Sequence, residues 1–198
     1  MEFKGHEAST HIPVLRAVIR DYNPLFVLEL GIGIYSTPVL VKSNYVGIEN
    51  NSEWIGRIKT LFPDADIRHH ETDIKRGTFP KELNREQIGE ITIYYRSLVI
   101  PDIHPNFLFV DNYAAFRTIA INELRDKFDI IAYHDCQPEV TGYEYDKVNK
   151  EGFNSYYLKS PTSWTCSMVR IGIDSGKLDL PLREYLNDWP DCKFLKYE

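Results

Sequence analysis

The sequence predicts an α/β domain: a doubly wound, mostly parallel sheet that closes with a C-terminal antiparallel hairpin. Three observations point there. Short apolar runs alternate with segments of helical period along most of the chain. The runs at 25–30, 106–110 and 129–133 lack the in–out alternation of a half-exposed strand and read as strands covered on both faces. Each proposed core strand also ends on a glycine or a functional polar group, namely Gly31, Glu49, Asp111, and His134 with Asp135. Sheets of this kind bind ligands at the carboxyl ends of their strands.

The elements follow in order. Residues 11–22 carry Ile12, Leu15, Val18 and Ile19 at helical spacing, with Pro13 in the first turn and Pro24 closing the segment. The strand at 25–30 breaks at Gly31-Ile32-Gly33, and Thr37 before Pro38 has the pattern of a helix cap and first residue. A second strand at 45–48 ends at Glu49. Asn50 with Glu53 three residues on resembles a capping box for an amphipathic helix bearing Trp54, Ile55, Ile58, Leu61 and Phe62, which Pro63 ends. A weaker strand follows at 65–69.

Residues 71–101 read as an insertion, with a short helix at 81–87 and a β-rich strand or ordered loop at 91–100. The strand at 106–110 leads to a helix marked by Phe116, Ile119, Ala120 and Leu124, and then to the strand at 129–133. Two β-rich runs, 155–158 and 165–171, flank a polar connection containing Pro161 and form the expected hairpin. Leu182, Tyr185 and Leu186 suggest a short final helix.

At 198 residues the chain suits a single domain with a substantial core. Its net charge of −6 argues against broad electrostatic binding to nucleic acid or anionic membrane, so neither is an expected partner. The N-terminal residues lack the apolar run of a signal peptide. Cys136, Cys166 and Cys192 lie far apart without a Cys-x-x-Cys pair, which suits a reducing, cytoplasmic setting.

The candidate site residues fall at the strand ends. Gly31 and Gly33 allow a tight turn and close approach of backbone to a ligand, and the helix beyond offers free N–H groups. Glu49, 18 positions after Gly31, is placed to accept hydrogen bonds from ribose hydroxyls. Asp111, His134 and Asp135 make a reaction end, with two readings open: His134 as general base, or Asp111 and Asp135 as ligands of a divalent metal. Arg117 either binds an anionic substrate or pairs with an acid. Tyr94, Tyr95 and Arg96 either line an acceptor pocket or pack at an edge. His69-His70 with Glu71 and Asp73 has a superficially metal-like composition, but adjacent strand residues point to opposite faces.

The segments Glu29-Leu30-Gly31-Ile32-Gly33-Ile34-Tyr35-Ser36, Gly47-Ile48-Glu49-Asn50-Asn51-Ser52-Glu53-Trp54-Ile55, Phe109-Val110-Asp111 and Tyr133-His134-Asp135 together resemble class I S-adenosylmethionine-dependent methyltransferases. Small-molecule and sugar O-methyltransferases are the most similar members. The resemblance implies a Rossmann-like methyltransferase fold, S-adenosylmethionine as cofactor and a small-molecule acceptor. It implies that Glu29, Gly31, Gly33 and Ser36 hold the methionine part, that Glu49 holds the ribose, and that Asn50 and Trp54 border the nucleoside. Asp73 falls near the adenine, and Asp111 adjoins both cofactor and reaction end. Metal-binding relatives commonly carry Asp-Asn or Asp-Asp where this chain has His134-Asp135, so the resemblance speaks against metal dependence. Two other readings share the pattern. An NAD-binding Rossmann protein usually has a third glycine where Ser36 stands. A noncatalytic nucleoside-binding module would use the same turn.

Overall fold

A computed structural model of the protein describes residues 11–137, 141–159, 164–173 and 193–197. One eight-stranded sheet runs through it in the order β3-β2-β1-β4-β5-β7-β6-β8. The strands are β1 (Phe26–Leu30), β2 (Tyr45–Glu49), β3 (Asp66–His69), β4 (Asn106–Val110), β5 (Ile130–His134), β6 (Phe153–Lys159), β7 (Trp164–Arg170) and β8 (Lys193–Tyr197). β1 to β5 pair in parallel. β7 pairs antiparallel with β5 and β6, which gives the expected hairpin, and β8 adds a further antiparallel strand outside β6. The hairpin is therefore not the outer edge, as the sequence suggested. The proposed helix near Leu182, Tyr185 and Leu186 lies outside the described residues.

The helices are α1 (Ile12–Tyr22), α2 (Thr37–Leu40), α3 (Ser52–Leu61), α4 (Arg85–Ser97) and α5 (Ala114–Leu124). They cover both faces of the sheet. Val27, Phe107, Phe109 and Ile130 join one core with Val14, Leu15 and Val18 of α1, Leu40 of α2 and Ile58 of α3. Phe26, Leu28, Leu30, Leu108, Val110 and Ile131 join the other with Ile91 and Tyr95 of α4 and Phe116, Ala120 and Leu124 of α5. Successive residues of β1 and β4 thus enter opposite cores, which is why these strands show no polar alternation.

Local expectations fail where side chains are drafted elsewhere. Ser36, not Thr37, stands at the N-cap of α2, and the Thr37 hydroxyl turns inward to donate to Glu29 Oε2 at 2.8 Å. Asn51, not Asn50, caps α3 by accepting from the Trp54 N–H at 3.1 Å. Glu53 pairs instead with exposed Arg57 at 2.8 Å. Residues 91–100 are mostly helix, not strand. A capping box joins Asn84 and Gln87, and Ile91 and Tyr95, one turn apart, bury against α5 and the sheet. The 71–101 segment therefore carries the crossover helix from β3, at one edge, to β4 on the far side of β1. The short helix expected at 81–87 is a 3₁₀ turn at Pro80–Glu82 followed by the start of α4. Among the described residues no helix is long and apolar enough to cross a membrane.

Candidate functional site

The site begins at the bend after β1. Gly31 has φ +85°, and a Cβ there would lie 2.5 Å from backbone atoms of Asp111 and Asn112. Only a glycine lets the β1 turn pass so close to the end of β4. Beneath the turn, Thr37 Oγ1 accepts from the Gly33 N–H at 3.1 Å while donating to Glu29. Tyr45 also donates to Glu29 Oε2, at 2.5 Å. Glu29 is fully buried, and burial raises its pKa to about 7 against the opposing pull of the hydroxyls of Ser36, Tyr45 and Thr37. Burial and adjacent Glu29 push the Tyr45 hydroxyl up, so it stays a donor.

Glu49 ends β2 on the same rim. Its Oε1 accepts from the backbone N–H groups of Asn50 and Asn51, at 2.8 and 2.9 Å, which fixes the carboxylate. Burial raises its pKa, and those two N–H groups oppose the rise. Trp54 donates its indole N–H to the Ile32 carbonyl at 2.7 Å, tying α3 to the glycine turn.

The ends of β4 and β5 are joined by Arg117 of α5, which is buried. Its Nη2 lies 2.8 Å from Asp111 Oδ1 and its Nη1 lies 3.2 Å from Asp135 Oδ2. It also donates to the carbonyls of Asn112 and His134, and its guanidinium lies over the Tyr143 ring at 4.6 Å. Burial works against the guanidinium's charge, but Tyr145, Asp111 and Asp135 together keep it protonated. His134 Nδ1 stands 3.6 Å from Asp111 and 3.4 Å from Asp135. Asp135 has φ 57°, a left-handed conformation that aspartate tolerates better than most residues and that is frequent at functional sites. Burial alone would raise the pKa of Asp111; the charges of Arg117 and His134 outweigh it and hold the carboxyl down at about 2. His11, at the N-cap of α1, packs edge-on against His134 with ring centroids 4.7 Å apart. Burial takes its pKa down to about 3.

These two halves border one cleft of about 590 Å³, within the usual range for small-molecule and cofactor sites. Of the residues singled out from sequence, Gly31, Gly33, Glu49, Trp54, Asp111, Arg117, His134 and Asp135 line it. The others do not. Glu29 and Ser36 are buried below the turn and support it. Asn50 donates its amide to the His70 carbonyl, and Asp73 is exposed and does not line the cleft. Tyr94 stacks on His70 with centroids 3.5 Å apart, and buried Tyr95 accepts from the Asn112 amide. Both tyrosines pack against these neighbours, and neither lines this cleft. Arg96, exposed, pairs with Glu123. His69 and His70 form no joint cluster; His69 reaches the Asn50 carbonyl while His70 meets Tyr94.

The cleft also includes residues the sequence reading missed. Asn51 and Asn112 sit one position past singled-out neighbours. Arg76 and Phe79 come from the loop after β3, and Tyr143 comes from the loop after β5. A Cβ on Gly142 would lie 2.5 Å from the Phe79 ring, so these two loops pack together over the cleft. Gly77, with φ +91°, was the available turn signal. His11 had one too: it stands where Ser, Thr, Asp or Asn is expected to cap a helix, and its side chain makes no cap bond.

No protein-family model matches the chain. Solved structures do resemble it. One is a "putative O-methyltransferase" from Klebsiella pneumoniae, with TM-score 0.52 and 13% identity over 85% of this chain and 83% of that one. Another is a "putative methyltransferase" from Thermobifida fusca, with TM-score 0.50 and 9% identity over 83% of this chain and 80% of that one. At these identities the likeness is one of fold. The chain has a Rossmann-like methyltransferase fold.

Proposed function

We propose that the protein is an S-adenosylmethionine-dependent methyltransferase acting on a hydroxyl of a small or sugar-like molecule. One observation carries this reading: a single cleft joins the glycine turn and Glu49 to the cluster of Asp111, Arg117, His134 and Asp135. The residues fit the cofactor. Gly31 lets the β1 turn lie against the end of β4 at the cleft, Glu49 offers a fixed carboxylate to ribose hydroxyls, and Trp54 offers an aromatic wall. The bound cofactor supplies an electrophilic methyl group on sulfur. The chain's part is to align the acceptor oxygen in line with it and to receive the hydroxyl proton. Arg117 holds the two strand ends in fixed relation, and His134 is the imidazole beside the cleft able to take that proton. The buried free thiols Cys136 and Cys166 suit a reducing, cytoplasmic setting.

Calorimetry with S-adenosylhomocysteine tests the cofactor. Glu49→Ala should weaken binding by about 1.5–3 kcal/mol, the range for hydrogen bonds to charged groups. Unchanged affinity in a folded variant removes Glu49 from the site. Binding of NAD in place of S-adenosylhomocysteine overturns the cofactor class. Turnover against a library of hydroxylated acceptors separates an enzyme from a nucleoside-binding module.

A further inference from the structure

We infer that His11, Asp111 and His134 form a binding site for one divalent transition-metal ion of the zinc class. One ring nitrogen from each histidine and a carboxylate oxygen of Asp111 lie within 4.8 Å of one another. Ligands of a tetrahedral ion at ordinary bond lengths sit roughly 3.4 Å apart, so side-chain rotations of about an ångström would close the set.

A second, independent feature is His11 itself. It is 3% exposed, and both of its ring nitrogens are buried without a hydrogen-bond partner. Buried polar groups are nearly always paired, and an imidazole with two orphan nitrogens is an expensive arrangement without a ligand to take one of them. Its neighbours are the His134 ring at 4.7 Å and Phe109 at 5.2 Å, so the ring is held by packing rather than by its own polar atoms.

The charge balance agrees. Asp111 and Asp135 carry two negative charges, and Arg117 cancels one. One net negative charge remains beside two imidazoles. A dication would bring that to one positive charge, which the anion of an acceptor hydroxyl would neutralise. Two imidazoles and one carboxylate suit zinc, cobalt, iron or nickel better than magnesium or calcium, which prefer oxygen ligands throughout. This set is distinct from the Asp111–Asp135 pair suggested by the sequence: Asp135 is outside it, and His11 comes from the far end of the chain. Asp111 and His134 line the cleft, so the ion would sit at the reaction end. Only that placement rests on the methyltransferase reading; metal binding does not.

The test uses the full chain, stripped with chelator and exchanged into metal-free buffer. Zinc titration by calorimetry should give one equivalent, and cobalt should give visible ligand-field bands. His11→Ala, and the more conservative His11→Gln, should each weaken zinc binding by at least roughly 10-fold. His134→Ala should do the same, while a His69→Ala/His70→Ala double variant should bind as the parent does. Circular dichroism and the melting temperature in metal-free buffer report whether each variant is folded. No zinc binding by the parent overturns the site, as does full-strength binding by folded His11→Ala and His11→Gln. A parent that binds S-adenosylhomocysteine but no zinc overturns the metal site alone; a parent that binds zinc through His11 but no S-adenosylhomocysteine overturns the cofactor reading alone.

Discussion

Replacing Glu29 by glutamine should flatten a defined stretch of the protein's stability–pH profile. The carboxyl has an ordinary value of 4.5 and a folded value of about 7, raised first by burial. Below 4.5 both folded and unfolded chains hold the proton, and Glu29 contributes nothing to the pH slope. Between 4.5 and about 7 the unfolded chain ionises while the folded chain resists, so stability falls as pH rises. Above about 7 both forms are ionised and the loss is complete, at about 3 kcal/mol from the gap between the two values. Glutamine keeps the shape and an acceptor for Tyr45 and Thr37 but cannot ionise. Urea unfolding of parent and variant should therefore be run every half unit from pH 4 to 9. The difference in unfolding free energy should move in the variant's favour by about 3 kcal/mol across that window. Asp111 has the opposite sense: its folded value is depressed to about 2, so its contribution is lost only as pH falls below the ordinary carboxylate range. The two effects occupy separate windows. Parallel profiles for parent and Glu29→Gln between pH 4 and 9 would refute the assignment of a buried, reluctant carboxylate beneath the turn.

Two further substitutions probe the rim. Gly31→Ala forces a side chain into a left-handed residue and onto the backbone of Asp111 and Asn112, so it should cost about 1–3 kcal/mol of stability and also weaken S-adenosylhomocysteine binding; parental melting and affinity would reduce the glycine turn to a mere connection. Arg117→Met leaves Asp111 and Asp135 without their shared counter-ion and should cost about 3 kcal/mol at neutral pH, the low end for a broken buried pair because both carboxylates are partly exposed. That cost should shrink as acid protonates Asp111, and a pH-independent cost would show that only packing was lost.

Much of the sheet was legible because its residues obey local rules. Phe107 to Val110 is apolar on both sides, and both sides are in fact buried, so pattern and packing agree. Glu49 and Asp111 were readable because a polar residue ending such a run must emerge at the sheet's edge. The failures have a common cause in tertiary contacts. Ile91 to Ile100 has strand-like composition, yet the Asn84–Gln87 box starts a helix whose Ile91 and Tyr95 fill a core already formed by distant residues. Thr37 looked like a cap because nothing local shows that Glu29, eight residues earlier, needs a donor. The tyrosines at 94 and 95 allowed either a pocket or a packing role, and sequence could not show that His70 and Asn112 are their neighbours. His11 showed only an odd residue type at a helix cap, and its partners could not be read because they lie about a hundred residues or more along the chain.

For the proposed O-methyl transfer, the electrostatics of this end of the cleft also restrict where the acceptor's proton can go. Asp111, held down at about 2, is too weak a base to take a proton from a hydroxyl, despite its place on the cleft. The charges that depress it, Arg117 first, are the same contacts that fix its position, so its rigidity comes at the expense of basicity. His134 and a bound metal ion are then two ways to make the hydroxyl nucleophilic. They exclude one another, since an imidazole nitrogen that ligates an ion cannot also take the proton. An imidazole base gives turnover that is indifferent to chelator, with His134→Ala losing about 10²–10⁴ in rate. An ion held by His11, Asp111 and His134 gives turnover that chelator abolishes and zinc or cobalt restores, and His11→Ala is then as damaging as His134→Ala. In the base mechanism His11 touches no reacting atom, so that comparison decides between the two. Chelator-insensitive turnover that survives His134→Ala would remove both.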